Sequence, residues 1–489
     1  MVWNTTAAIL QHAESHPDSL AIAGHDRTIT YARLRFLVAV MAGYLRQAGV
    51  KPGQVVAVTM ALHPLQLICT LALSQIGAVM LPLHRAVPAD RRLLAAQRFG
   101  ARWVISGRDE MRLPGLPFLS VATLNFDGSA VAPDYEAFPT EAETPFRIAL
   151  SSGTSGDPKG VLLTHGMRAR RGRHLAEGMG RDARVMSMDL NFAIGYAPTM
   201  AALTAGACLV LPHSFAPGEL LQTMIRQQVT HVAMSPAQAR EIASAVADSV
   251  SAPQCPSLVN LRIVGGSLTP RLHADLQRKL TPNVFTGYGA TELGSIAIAT
   301  PDMLREHPST VGLVRPWVEL EIVDEHDRVL PAGSVGSIRT RSEDQVSGYY
   351  LDEARSRRHF RDGWFYSGDR GRLSADGLLF IEGRNDEVLN VGGLKINPED
   401  TEATLFAHAA VKEAGAFLLR GASGQDTLAV ALVLTDPARL PDVQAHARTH
   451  LGPLAPKHYF LADALPRTMT GKLRRSELSE RYAQATDRL

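Results

Sequence analysis

Cysteine is nearly absent from this 489-residue chain: Cys69, Cys208 and Cys255 are odd in number, far apart and without C-x-x-C spacing. That pattern excludes a disulfide framework and a cysteine-based zinc site, and it fits a reducing compartment, so the cytoplasm is expected. An excess of one charge is also missing. Lysine and arginine total 50 against 48 aspartates and glutamates, a formal net charge of +2. Nothing in that balance suggests a nucleic-acid partner or a membrane surface, and any anion site must be local. No apolar run reaches membrane-spanning length unbroken. The uncharged stretch 52–84 contains Pro64, Gln66, Gln75, Gly77 and Pro82, and reads as strand, helix and strand rather than a span. Residues 1–20 lack the basic start and apolar core of a signal peptide.

With 45% hydrophobic and 20% charged residues, the composition is globular, and the length predicts two or more domains. Leu34, Leu37, Val38, Met41 and Leu45 recur at helical spacing up to Gly49, and apolar runs at 55–58, 78–81 and 102–105 alternate with helical segments. The fold class is therefore α/β, with a mostly parallel sheet. The turn-dense stretch 113–144 reads as a surface connection. A second α/β unit is expected around 208–211, 231–234 and 261–264. After Pro308 short strands and turns predict a β-rich subdomain, and the last hundred or so residues, with helical segments at 398–406 and 440–451, suffice for a small α+β domain.

The most informative stretch is 150–160, Leu-Ser-Ser-Gly-Thr-Ser-Gly-Asp-Pro-Lys-Gly, set between apolar segments. Glycines admit backbone N–H groups to phosphate oxygens, hydroxyls add donors, and Lys159 adds charge. It is not a Walker A loop, because Pro158 precedes the lysine and a strand, not a helix, follows. The loop alone is equally compatible with a glycine-serine hairpin turn. Downstream, Arg168, Arg170, Arg171, Arg173 and His174 crowd together; a solvated helix face is preferred over a patch for a second phosphate-bearing ligand. In Gly287-Tyr288-Gly289-Ala290-Thr291-Glu292 the tyrosine suits a base or pocket wall, the threonine a phosphate and the glutamate a magnesium ion, unless the segment is only a tight turn after a strand. Asp369 and Arg384 flank a predicted hairpin at 371–382 that brings them to one place, where a carboxylate binds ribose hydroxyls. Residues 383–386 read as a linker. Lys472 stands in a basic loop beside Gly471.

Taken in order, Ser151 to Gly160, Gly287 to Glu292, Tyr366 to Asp369, Gly383 to Asp386 and Pro466 to Arg474 resemble the motifs of the adenylate-forming superfamily: acyl-CoA and aryl-CoA synthetases, peptide-synthetase adenylation domains and luciferase. The resemblance implies a large N-terminal domain of layered α/β subdomains plus a β-rich subdomain, 1–383, and a mobile α+β C-terminal lid, 384–489, hinged near Asp386. It implies that Ser151, Ser152, Gly153, Thr154, Ser155, Gly156 and Lys159 hold the β- and γ-phosphates of ATP, with Gly287 and Tyr288 also at the nucleotide. Thr291 would meet the α-phosphate, Glu292 would bind Mg2+, Asp369 and Arg384 the ribose, and Lys472 would carry the chemistry. Gly392 and Gly393 would border a thiol tunnel. Ser155 stands where threonine is commoner, keeping the hydroxyl, and Asn390 replaces a second lysine of luciferase-like members, so light emission has no support.

The substrate implied is a small carboxylic acid. Where amino-acid-activating domains place an aspartate, this chain has Ala193 after Phe192, which leaves an ammonium group without a partner. The implied lining, Phe192, Met234, Val264, Gly265, Gly266, Tyr288, Gly289 and Ala290, is mostly apolar and suits an aryl or medium acyl acid. With no carrier segment after Lys472, coenzyme A is the expected acceptor. The alternatives are a separate acyl or peptidyl carrier protein, through its phosphopantetheine, and a nucleotide-binding scaffold without turnover.

Overall fold

The computed structural model describes residues 3–24, 27–60, 64–122, 137–151, 159–385, 389–391, 394–420, 426–468 and 471–483. The chain divides into two compact units: Met1–Val264 with Asp275–Ile296 and Ser342–Gly363, and Gly265–Ala274 with Ala297–Arg341 and Trp364–Leu489.

In the first unit, the helix Tyr31–Gln47 buries Leu34, Leu37, Val38, Met41 and Leu45. Thr30 caps it by accepting the Arg33 backbone N–H at 3.2 Å, and Gly49, at φ +98°, turns the chain away. One sheet runs in the order Phe118–Ser120, Ala101–Ser106, Val55–Val58, Val79–Pro82, Pro145–Ser151, Lys159–Thr164. It is parallel except for the last pair. Every residue of Val55–Val58 and Val79–Pro82 is buried, as a sheet covered on both faces requires. The stretch read as a surface connection is more than that. Leu119 is buried in the strand Phe118–Ser120, and the Phe138 ring lies where a Cβ on Gly77 would come within 2.5 Å. A three-residue strand is too short to show alternation, which is why turn residues dominate the local signal.

A second sheet of this unit orders Val284–Ala290, Asn260–Val264, His231–Met234, Arg184–Met186, Cys208–Val210, Leu20–Ala23 and Thr28–Thr30. All but the last pair are parallel. The register sets Met234 beside Ile263 and Val264 beside Gly287. Met234, Ile263 and Val264 are at the carboxyl ends of their strands, where open α/β sheets bind ligands.

The second unit is built from antiparallel strands, Glu319–Val323, Gly336–Arg341, Trp364–Leu373, Leu378–Arg384 and Thr310–Val314. Gly383 and Arg384, read as linker, instead close the strand Leu378–Arg384. Their pairing with residues 369 and 370 extends the expected 371–382 hairpin by two rungs. A smaller sheet joins Val411–Arg420, Asp426–Leu434 and His458–Leu461, packed by the helices Pro398–Phe406 and Leu440–Leu451 through Leu405, Val430, Leu432, Val443 and Ala447. Gly312 pins the larger sheet: at φ +93°, a Cβ there would lie 1.9 Å from the Ile298 carbonyl oxygen. Gly312→Ala is expected to destabilise this unit by about 3 kcal/mol or more, read as a lowered thermal midpoint, because backbone rather than a movable side chain must yield.

Candidate active site

The strands Pro145–Ser151 and Lys159–Thr164 pair Ser151 with Lys159 across an antiparallel ladder. Ser152, Gly153, Thr154, Ser155 and Gly156 lie outside the described residues. Gly160 must be glycine, because a Cβ would approach the Phe99 ring to 2.5 Å. Its carbonyl accepts from the Tyr350 N–H at 2.8 Å. The Lys159 ammonium sits 5.1 Å from the centroid of the neighbouring Tyr349 ring.

Thr291 and Glu292 directly follow the strand Val284–Ala290 and are fixed by their backbones. Arg171 donates to the Thr291 carbonyl at 3.0 Å and to the Glu292 carbonyl at 3.0 Å, and its third acceptor is the Asp344 carbonyl. The Val346 N–H also donates to the Glu292 carbonyl, at 2.9 Å. The buried Glu292 carboxylate accepts from the Tyr349 hydroxyl through Oε1 at 2.8 Å. Burial pulls the Arg171 guanidinium down to about 10, with Asp344 and Glu292 opposing, so it stays charged at neutral pH.

The basic cluster is therefore neither the solvated face expected nor a phosphate patch. Arg168 is buried and donates to the Met200 carbonyl and the Thr204 hydroxyl, both at 2.7 Å. Arg170 pairs with Asp344 at 2.7 Å, and Arg173 alone of the group is exposed. A run of arginines looks solvated in sequence because charge patterning says nothing about buried carbonyl acceptors, and a guanidinium can satisfy several at once.

Of the expected pocket lining, Met234 is fully buried. Val264, Tyr288 and Ala290 are partly buried, while Gly265, Gly266 and Gly289 are exposed. Gly289 is required by close backbone approach, since a Cβ would lie 2.4 Å from the Gly294 carbonyl oxygen. Phe192 precedes the helix Ala193–Ala205 and packs against His84, ring centroids 5.6 Å apart. Beside it lies a polar pair that sequence reading missed. His84 Nδ1 accepts from the Ala86 N–H at 3.1 Å, so Nε2 carries the proton and donates to Asp189 Oδ2 at 3.0 Å. Burial would raise the Asp189 carboxyl, but bonds from His84 and from the Asn191 backbone and amide outweigh it and hold it below the usual range. The fully buried Arg147 donates to the Leu190 carbonyl at 2.9 Å and lies over the Tyr196 ring. No local motif announces the pairing of His84 with Asp189 or of Arg147 with Leu190 and Tyr196, which join residues far apart in the chain.

In the second unit, Asp369 and Arg384 are direct partners across the hairpin, 3.5 Å apart as an ion pair, and the turn carries Gly377 at φ +80°. Gly368, at φ +83°, leaves the space that the Arg384 guanidinium occupies. Lys472 is exposed on a turn closed by the Arg467–Leu473 bridge. The Thr468 N–H donates to the Lys472 carbonyl at 2.7 Å, and the Lys472 N–H donates to the Thr468 hydroxyl at 3.1 Å. Arg467 ties the loop to Glu413 at 2.7 Å and to the Gly471 carbonyl at 2.9 Å. Asp386, Gly392 and Gly393 lie outside the described residues.

The family model described as AMP-binding enzyme matches residues 9–350. This chain belongs to that family. The AMP-binding enzyme is 29% identical to the indoleacetate–CoA ligase of Aromatoleum aromaticum, with 97% of this chain and 98% of the relative covered. It is 26% identical to the 2-succinylbenzoate–CoA ligase of Bacillus licheniformis, with 96% and 98% covered. A solved anthranilate–CoA ligase in complex with anthranoyl-AMP shares its fold at a TM-score of 0.91 and 21% identity, covering 100% of this chain and 98% of its own.

Among the described residues of this AMP-binding enzyme, no three histidine, cysteine, aspartate or glutamate side chains form a metal cage. Glu292 offers one carboxylate. That donor set suits magnesium, which keeps several waters and takes further oxygens from substrate phosphates. No helix among the described residues is long and apolar enough to cross a membrane.

Proposed function

We propose that this AMP-binding enzyme activates an aryl or acyl carboxylic acid with ATP and passes the acyl group to the thiol of coenzyme A. The observation that carries the reading is the placement of Thr291 and Glu292 at the carboxyl end of a parallel sheet, with both backbones fixed by Arg171. The relatives named for ligating indoleacetate and 2-succinylbenzoate to coenzyme A support an acid that carries an aromatic ring. The three cysteines are free and buried, which fits the reducing cytoplasm as its location.

In the first step a carboxylate oxygen attacks the α-phosphorus of ATP, and the bond to the bridging oxygen breaks to release pyrophosphate. Two anions meet, so charge must be offset where it moves. The loop 151–159 with Lys159 holds the β- and γ-phosphates, and Gly287 and Tyr288 flank the nucleotide. Thr291 donates to the α-phosphate, and Asp369 with Arg384 binds the ribose. Lys472 spans the carboxylate and α-phosphate oxygens. Magnesium held at Glu292 would draw charge from the phosphate oxygens. In the second step the thiol sulfur attacks the acyl carbon, the bond to AMP breaks, and the thiol proton leaves to solvent.

On this reading residues 384–489 act as a lid that swings about Asp386 between the steps, with Gly392 and Gly393 then at the thiol. Asp386→Pro is expected to leave adenylate formation within about threefold of the parent and to abolish thioester formation, because proline fixes φ. Rapid-quench assays of each step read the split. The proposal itself is tested by acid-dependent exchange of labelled pyrophosphate into ATP across aryl, acyl and amino acids, followed by coenzyme A or a phosphopantetheinylated carrier protein as acceptor. Exchange with aryl acids and thioester on coenzyme A support it; nucleotide binding without exchange for any acid contradicts it.

A further inference from the structure

Tyr349 touches two groups that the proposed reaction uses in opposite ways. Its hydroxyl donates to Glu292 Oε1 at 2.8 Å, and its ring face lies under the Lys159 ammonium at 5.1 Å. The ring itself is held on all sides. It is 5% exposed and packs in a cluster with Ala149, Val161 and Val346. Phe360 and His359 meet it edge-on at 5.4 and 5.6 Å. Its backbone N–H donates to the Ser356 hydroxyl at 2.8 Å, and the preceding Gly348 leaves no room for a Cβ, which would come 2.8 Å from that same oxygen.

The Glu292 backbone ties do not by themselves set the direction of its buried carboxylate, which depends on the contacts of the side chain. Arg171 and the Val346 N–H fix the carbonyls of residues 291 and 292, and the Arg171 charge attracts the carboxylate without a hydrogen bond to it. The Tyr349 hydroxyl bonds the carboxylate directly. It bonds Oε1 and not Oε2, and a hydrogen bond to a ligating carboxylate sets its direction.

We propose that Tyr349 is a positioning residue that aims the Glu292 carboxylate at a divalent cation bound with the nucleotide. The inference rests on Glu292 being the metal-binding carboxylate, as in the proposed function. The test uses Mn2+ as an EPR-visible probe, titrated into the full-length enzyme with saturating α,β-methylene-ATP. Tyr349→Phe keeps the ring, its packing and its face toward Lys159, and removes only the hydroxyl. It is expected to weaken Mn2+ binding about tenfold or more, in the range seen when a partner of a metal ligand is lost. Its melting temperature and its affinity for the metal-free nucleotide should stay near the parent values. Unchanged Mn2+ affinity in Tyr349→Phe, alongside a large loss in Glu292→Gln, overturns the role of Tyr349 and leaves the site reading standing. Unchanged affinity in Glu292→Gln overturns the site reading itself. Tyr349→Met, which removes the ring as well, is expected to lose Mn2+ affinity equally and metal-free nucleotide affinity in addition; equal loss of nucleotide affinity in both variants contradicts the division of roles between hydroxyl and ring.

Discussion

Lys472→Ala is expected to slow acyl-adenylate formation by about 10²–10³-fold, the usual effect of losing one preorganised group at a site of developing charge. The loop geometry explains why the loss should be in kcat rather than in folding. The side chain is exposed, while the turn is maintained by the Thr468 bonds to the Lys472 backbone and by Arg467 reaching Glu413 and Gly471, none of which needs the ammonium. Stopped-flow detection of pyrophosphate reads the first step. Supplying the variant with preformed acyl-adenylate and coenzyme A reads the second, which should keep most of its rate. Adenylation at the parent rate would falsify the assignment of this lysine.

Asp369→Ala is expected to raise the KM for ATP by about a hundredfold or more, with a smaller change in the KM for the acid. A carboxylate that accepts from two ribose hydroxyls makes charge-assisted bonds, each stronger than a neutral one. The structure adds a second consequence. Asp369 faces Arg384 directly in the ladder, so removing the carboxylate also leaves a guanidinium without that partner, and the two effects must be separated. Arg384→Ala and the double variant complete the cycle. If Asp369 contacts ribose itself, the single aspartate change should be much the more harmful; if it only orients Arg384, the two single variants should lose equal affinity for ATP.

How far the sequence alone carries the reader depends on whether a contact is local. The helix Tyr31–Gln47, the all-buried strand Val55–Val58 and the hairpin joining Asp369 to Arg384 follow from spacing and turn residues within a few positions of each other. So do the strands Pro145–Ser151 and Lys159–Thr164. Contacts that stabilise the site across long separations were not legible. Arg171 reaches carbonyls at 291, 292 and 344, Tyr349 reaches Glu292, and His84 reaches Asp189. In each case one partner is a backbone carbonyl, or a side chain whose neighbour only the fold selects. The arginine cluster shows the cost of that gap: the residues were prominent, but their acceptors were invisible.

The claim beneath all of these is that the acid's own oxygen attacks the α-phosphorus. Running the reaction with a carboxylic acid labelled with oxygen-18 in both carboxyl positions, coenzyme A and ATP, then weighing the AMP and pyrophosphate by mass spectrometry, tests it directly. Attack by the acid places one labelled oxygen in AMP, none in pyrophosphate, and retains one in the thioester. Unlabelled AMP, or label appearing in released phosphate with ADP as the nucleotide product, would contradict it.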